Sequence, residues 1–268
     1  MGMLRNCSYK VSDTAQLRRT LRRYYENEGA AGHQQRAMYR DYFHVRRYSW
    51  VLRLLEARPG DRVLDVGCAE GMYVREVAQR GAYAVGLDLA RSKLLRAEEE
   101  TSAAGLAPQT GFLQGDALEL PFADHTFTAA LCCEVLEHLL DPVAALREMG
   151  RVVAGRIIVS VPNFPYYKRL SGRARRGFLS PAELERELSA PGKGHLHVFT
   201  PRRLREMVEQ AGLQVEVMVS SCFRFPVRRP IQRYLPAVET WLRRADDWLG
   251  PVPALTPFAY YLIVRCRS

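Results

Sequence analysis

The chain has 268 residues, 47% apolar and 25% charged, which is enough apolar material for one globular domain with additions. Its longest apolar runs, 127–133 and 258–264, fall far short of the roughly 20 residues of a membrane-spanning helix, and residues 1–10 lack the apolar core of a secretion signal, so a cytoplasmic address is expected. The net charge of +10 rests almost entirely on arginine, which reads equally as a basic contact surface or as compositional bias.

In chain order, residues 1–59 form a basic lead-in that reads as a helical extension or lid. From residue 60 to residue 268 a single domain is expected, interrupted by insertions at 163–198 and 220–257. Within it, short β-branched runs bounded by Gly, Pro or Asp alternate with helical patterns, the signature of strand-helix-strand units and a parallel sheet. The predicted strands are 62–66, 83–88, 110–115, 127–132 and 156–161. A helix over 201–211, with Pro201 in its first turn and Gly212 as its stop, leads to a strand at 213–219, and 258–265 supplies the last strand. The insertions are candidate lids; in the first, Phe164, Tyr166 and Tyr167 read either as acceptor-pocket lining or as lid core. In the second, Ile231, Tyr234, Leu235, Val238, Trp241, Leu242, Ala245, Trp248 and Leu249 share one helical stripe, which reads as packing against the domain or a second subunit, with a membrane surface as the alternative.

Chemistry concentrates at the strand ends. The run from Val63 through Asp65, Gly67, Cys68, Ala69 and Glu70 to Gly71 places a glycine-bearing turn after the first strand and before a helix, where a ligand can approach backbone N–H groups closely. A dinucleotide fingerprint needs glycines at offsets zero, two and five, and from Gly67 the chain offers Ala69 and Met72, so that reading weakens. Asp88 ends the second strand, where an acid accepts from both hydroxyls of a ribose, and Asp116 follows the third. Three acids along one edge of a parallel sheet suit an adenosine bearing a cationic tail. The six cysteines, Cys7, Cys68, Cys132, Cys133, Cys222 and Cys266, show no CxxC spacing; they read as reduced thiols, and no metal is expected.

The runs VLDVGCAEG (63–71), GLDLA (86–90), GDALELPF (115–122) and FTAALCCEVLEHLLDP (127–142) resemble the class I S-adenosylmethionine-dependent methyltransferases, particularly the group that includes the ubiquinone and menaquinone biosynthesis enzymes. The likeness continues through Val161, Pro162 and Asn163 and, more loosely, HLHVFT (195–200), while the flanking segments carry none of it. It implies an α/β, Rossmann-like seven-stranded sheet, mostly parallel with an antiparallel last strand, with helices on both faces and helical lid additions. It implies S-adenosylmethionine as cofactor, with Asp65, Gly67, Cys68 and Gly71 at the methionine part, Asp88 and Leu89 at the ribose, Asp116 and Ala117 at the adenine, and the backbone of Cys133 facing the cofactor. Ala69 departs from the commoner glycine, which puts local geometry in question.

An oxygen acceptor needs a base for its proton, and His138 and His195 are the candidates. His138 also reads as a helix-start histidine held by local hydrogen bonds, and His195 as a hinge. The expected reaction is methyl transfer to a small-molecule or lipid-linked oxygen acceptor: a phenol, a sugar hydroxyl or a carboxyl. Alternatives are a non-catalytic holder of the cofactor or a nucleic-acid methyltransferase. The latter is disfavoured because Cys133, Glu134, Val135 and Leu136 stand where base-modifying enzymes carry Asn or Asp followed by Pro-Pro and an aromatic. Peripheral membrane contact stays open, and the oligomeric state is not legible.

Overall fold

The computed structural model describes residues 11–30, 42–163, 195–223 and 236–268. The expectations for Phe164, Tyr166 and Tyr167 and for Ile231, Tyr234 and Leu235 lie outside the described residues.

Seven strands form one sheet: β1 (Arg62–Val66), β2 (Tyr83–Asp88), β3 (Thr110–Gln114), β4 (Phe127–Cys133), β5 (Val153–Pro162), β6 (Gln214–Phe223) and β7 (Ala259–Arg267). Their order is β3-β2-β1-β4-β5-β7-β6. The first five pair in parallel, and β7 lies antiparallel between β5 and β6. The expected class is therefore observed, down to the antiparallel last strand.

Seven described helices are α1 (Val11–Ala30), α2 (Tyr42–Leu55), α3 (Met72–Gln79), α4 (Arg91–Ala103), α5 (Pro142–Val152), α6 (Pro201–Gln210) and α7 (Pro236–Leu249). The central strands are apolar on both sides because both faces are covered. One face packs Leu146, Met149, Leu204 and Val208 of α5 and α6 over Leu64, Ala130 and Ile157. The other packs Trp50, Val51, Leu55, Val74 and Leu94 of α2, α3 and α4 over Val63, Leu131 and Ile158. Helix starts follow local chemistry: the Asp141 carboxylate accepts from Ala144 N at 2.9 Å and the Thr200 hydroxyl from Arg203 N at 3.2 Å, each just ahead of a proline at N1.

The last three strands depart furthest from the expected bounds. Strand β5 starts at Val153 instead of 156, because Gly155 lets the chain approach β4 where pairing shifts: a Cβ there would sit 2.3 Å from the Thr128 carbonyl oxygen. Strand β6 continues to Phe223, since Ser220, Ser221 and Phe223 keep pairing with β7; the insertion expected from 220 thus begins after the strand. Strand β7 starts at Ala259, preceded by a 3₁₀ turn (Pro253–Phe258).

On the stripe of the second insertion the side chains of Val238 and Leu242 also lie outside the described residues. Helix α7 packs on β6 with Ala245 and Leu249 half-buried, Trp241 60% and Trp248 85% exposed, and Asp246 buried, the one buried side chain among those described in this helix. Its carboxylate accepts from the backbone N–H groups of Cys222 (2.6 Å) and Phe223 (3.3 Å), the Ser221 hydroxyl (2.9 Å) and Arg46 Nε of α2 (3.2 Å). Three donors at the end of an edge strand and a fourth on α2 need an anion more than a hydrocarbon, and that polar demand sets which face of α7 turns inward. Among the described residues no helix is long and apolar enough to cross a membrane.

Candidate functional site

The strand order reverses between β1 and β4, and crevices in such sheets open beyond the carboxyl ends of the strands at that point. The predicted residues gather there. After β1 the chain turns through Gly67 (φ +77°), Ala69 (φ +48°) and Gly71 (φ +73°) into α3. Gly67 is required twice over: its φ is left-handed, and a Cβ would meet Val135 Cγ2 at 2.4 Å. Ala69 holds a left-handed conformation despite its methyl group, and its N–H donates to Asp88 Oδ2 at 2.9 Å, which anchors it.

Asp88 ends β2 with both oxygens directed at backbone, Oδ1 accepting from Ala90 N at 2.9 Å, and so ties the β1 loop to the start of α4. The Leu89 carbonyl accepts from Gln114 Nε2 at 2.9 Å. Beyond β3, Asp116 Oδ1 accepts from Leu118 N at 2.9 Å in a tight turn that buries Ala117. Cys68 does not face the crevice with its thiol: a Cβ on Gly86 of β2 would lie 2.7 Å from Cys68 Sγ, so the side chain packs on the sheet and only the backbone of residue 68 serves the loop. The Cys133 thiol ends β4; burial first, then the nearby Asp65, pushes it up to about 12.

Asp65 is the anomaly. It is 4% exposed, and its Oδ2 has no hydrogen-bond partner. Burial, reinforced by Asp88, pushes its carboxyl up to about 8. The turn itself is held by the protein, the N–H groups of Gly67 and Cys68 donating to the Leu87 carbonyl and that of Gly71 to the Cys68 carbonyl. What is left for a ligand is the orphaned buried acid beside a second carboxylate, which suits a cation on an adenosine, and the residues present fit S-adenosylmethionine.

On the β4 side, Glu134 adopts φ +57° directly after the strand, donates its N–H to the Ser160 carbonyl (2.9 Å) and accepts the Ser160 hydroxyl on Oε1 (3.1 Å). Arg47 of α2 pairs with Glu134 Oε2 at 3.3 Å, its guanidinium 4.9 Å from the Tyr261 ring centroid. Next, the 3₁₀ turn Leu136–His138 brings Glu137 inside, where burial and then Glu134 hold its carboxyl well above the usual range. The Glu137 carbonyl accepts from Leu196 N (2.6 Å) and His197 N (3.1 Å), which delivers His195 to His138 with ring centroids 4.9 Å apart. Desolvation holds the His195 imidazole below its ordinary value. The two candidate bases, 57 positions apart in the chain, are neighbours.

Helix α1 lies along this edge. The Glu26 carboxylate accepts from Arg91 N (2.8 Å) and Ser92 N (2.9 Å), capping α4 from outside, while Arg18 lies 3.6 Å from Asp116 and the Tyr25 ring meets His138 at 5.9 Å. Reading the sequence missed Arg47, Glu134, Glu137 and these α1 residues. Motif spacing could have flagged the two glutamates flanking Val135 and Leu136, whereas nothing local marks Arg47.

Residues 64–158 match a family model described as a methyltransferase domain. A ubiquinone biosynthesis O-methyltransferase of Azorhizobium caulinodans is 33% identical over 165 residues, covering 55% of this chain and 64% of that protein. A demethylmenaquinone methyltransferase of Corynebacterium kroppenstedtii is 35% identical over 121 residues, covering 43% of this chain and 49% of that protein. The chain thus spans less than two thirds of these relatives. Among solved structures, magnesium protoporphyrin IX methyltransferase from Synechocystis with bound SAH superposes with a TM-score of 0.60 at 17% identity, over 93% of this chain and 99% of that one. The [4+2]-cyclase SpnF gives 0.59 at 23% identity, over 84% and 82%. At those identities the structural likeness shows a shared fold.

Proposed function

We propose that the chain is a class I S-adenosylmethionine-dependent methyltransferase that transfers a methyl group from that donor to an oxygen of a small-molecule or lipid-linked acceptor, a reading supported by the methyltransferase-domain match over residues 64–158. A phenol, a sugar hydroxyl or a carboxyl meets this description, and the names of the curated relatives favour a quinone-type phenol. The observation that carries the reading is the orphaned Asp65 carboxylate beneath the 67–71 turn, with Asp88 beside it.

When bound, S-adenosylmethionine supplies an electrophilic methyl on a sulfonium. Asp65, Gly67, Cys68 and Gly71 hold its methionine part, the last three through backbone. Asp88 and Leu89 hold the ribose: each Asp88 oxygen already accepts one backbone N–H and keeps a further lone pair for a hydroxyl. Asp116 and Ala117 border the adenine, with Cys133 closing the pocket from β4. Helix α1 screens this edge from water through Glu26 and Arg18.

Displacement at a methyl group needs the acceptor oxygen in line with the breaking carbon–sulfur bond, so positioning supplies much of the rate. The acceptor must also lose its proton, and His138 and His195 are the groups placed to manage it. A lipid-linked acceptor would be met at a bilayer surface, and the exposed Trp241 and Trp248 support a peripheral contact there.

Calorimetric titration with S-adenosylmethionine and S-adenosylhomocysteine, with NADH as control, tests the reading. Micromolar binding of the first two and none of the third supports it and opens a screen of phenol, quinone and lipid-linked sugar acceptors. Binding of neither would overturn it, and binding without turnover on any acceptor would make the protein a non-catalytic holder.

A further inference from the structure

We propose that Glu137, His138 and His195 form a binding site for one divalent first-row transition-metal ion, and that this ion holds the acceptor oxygen; the second half rests on the methyl-transfer reading above. Each of the three residues offers a ligand atom, and these atoms all lie within 4.8 Å of one another. Two imidazoles and one carboxylate, with further positions open to water or substrate, form a donor set that suits Fe²⁺, Co²⁺ or Zn²⁺ over Mg²⁺, which prefers oxygen.

A second observation points to a cation. Glu137 is only 2% exposed, yet its Oε2 has no hydrogen-bond partner. A carboxylate oxygen is costly to bury without a donor or an ion, and no described donor meets this one. Arg47, the nearby guanidinium, pairs with Glu134 through Nη1 and acts on Glu137 only as a charge, without a hydrogen bond to its Oε2. The loop that brings the third ligand is held independently of any ion: Leu196 and His197 N–H groups donate to the Glu137 carbonyl, and the His197 ring lies 2.9 Å from the Leu139 carbonyl oxygen. His195, the most exposed of the three, closes the remaining distance by side-chain rotation, since metal–nitrogen bonds of about 2.0–2.1 Å require ligand atoms closer together than those here.

The site's position gives it work to do. It lies directly after β4, on the edge that carries Asp65 and Asp88. A hydroxyl held by the ion would have a lowered pKa and would lose its proton to water, so that His138 and His195 would act through the ion as ligands instead of as the base. Its oxygen lone pair then forms the new carbon–oxygen bond as the carbon–sulfur bond breaks, leaving the methyl ether or ester and S-adenosylhomocysteine.

The test uses the untagged full-length protein, stripped with a chelator and titrated with CoCl₂ while visible absorption and heat are recorded. One equivalent should bind, and His138→Gln and His195→Gln should each weaken binding by about tenfold or more. These positions are chosen because Glu137 is buried and its replacement disturbs the fold. S-adenosylhomocysteine affinity, measured on the same samples, should not change in either variant. Failure to bind Co²⁺ or Zn²⁺ stoichiometrically, or unchanged binding when both histidines are replaced, would overturn the site. Cobalt binding by a protein that does not take S-adenosylhomocysteine would keep the site and remove its link to methyl transfer.

Discussion

Replacing Asp65 with Asn should change how stability depends on pH. In the folded chain its carboxyl titrates near pH 8, driven by burial and by Asp88, whereas in the unfolded chain it titrates near the ordinary value of about 3.9. Between those values the folded state holds a proton that the unfolded state has released, so unfolding free energy falls as pH rises from about 4 to about 8. A shift of some four units corresponds to on the order of 5 kcal/mol across the window. Asp65→Asn cannot titrate, so its stability relative to the parent should improve by about that amount between pH 4 and pH 8. The thiols of Cys68, Cys132 and Cys133 and the Tyr73 hydroxyl feel the Asp65 charge, but burial pushes all four above their ordinary values and so above this window, and the difference reads this carboxyl. The assay is urea denaturation of both proteins at several pH values in one buffer series. A stability difference that stays constant across the range would refute the reasoning. The same protonation predicts that cofactor binding releases a proton near pH 7, because a cation in the hollow stabilises the carboxylate. Calorimetry in two buffers of different ionisation enthalpy reads that release, and Asp65→Asn should abolish it.

Asp88→Ala should weaken S-adenosylhomocysteine binding by about 1–3 kcal/mol, since the ribose loses an acceptor and the Ala69 and Ala90 N–H groups lose theirs; unchanged affinity in a folded variant would refute the ribose assignment. Asp246→Ala should cost roughly 3–5 kcal/mol in denaturant, because it leaves Arg46 Nε, the Ser221 hydroxyl and two backbone N–H groups without their acceptor while Asp247 still neutralises Arg46; a loss below about 1 kcal/mol would show that α7 is not held by this carboxylate. His197 is buried and neutral: burial and the neighbouring Arg203 lower it to about 4, with Nε2 placed to donate to the Leu139 carbonyl. Its unfolded form takes up a proton that its folded form refuses, so it should remove about 3 kcal/mol of stability as pH falls from about 6.5 to 4. His197→Gln should flatten that part of the stability profile, and an unchanged slope would count against the neutral assignment.

The alternation of β-branched runs with helical patterns was sufficient, without any tertiary information, to place the parallel strands and the acids at their ends. Asp65, Gly67, Gly71 and Asp88 are legible because each acts within a few residues of its own strand, where backbone conformation and strand direction dictate what a side chain can reach. Even there, tertiary packing decided detail: the Cys68 thiol turned to Gly86, and Ala69 kept a left-handed conformation because Asp88 holds its N–H.

The other half of the site was decided by contacts between distant segments. Arg47 reaches Glu134 from a helix with no motif, and His195 meets His138 only because the Glu137 carbonyl captures the N–H groups of Leu196 and His197. At α7 periodicity grouped Trp241 and Trp248 with other apolar residues on one stripe, and the structure leaves both exposed while it buries Asp246. A hydrophobic pattern registers only what a helix would gain by burial. It carries no information about four donors waiting at the end of β6 and on α2, and those donors drew Asp246 into the interior.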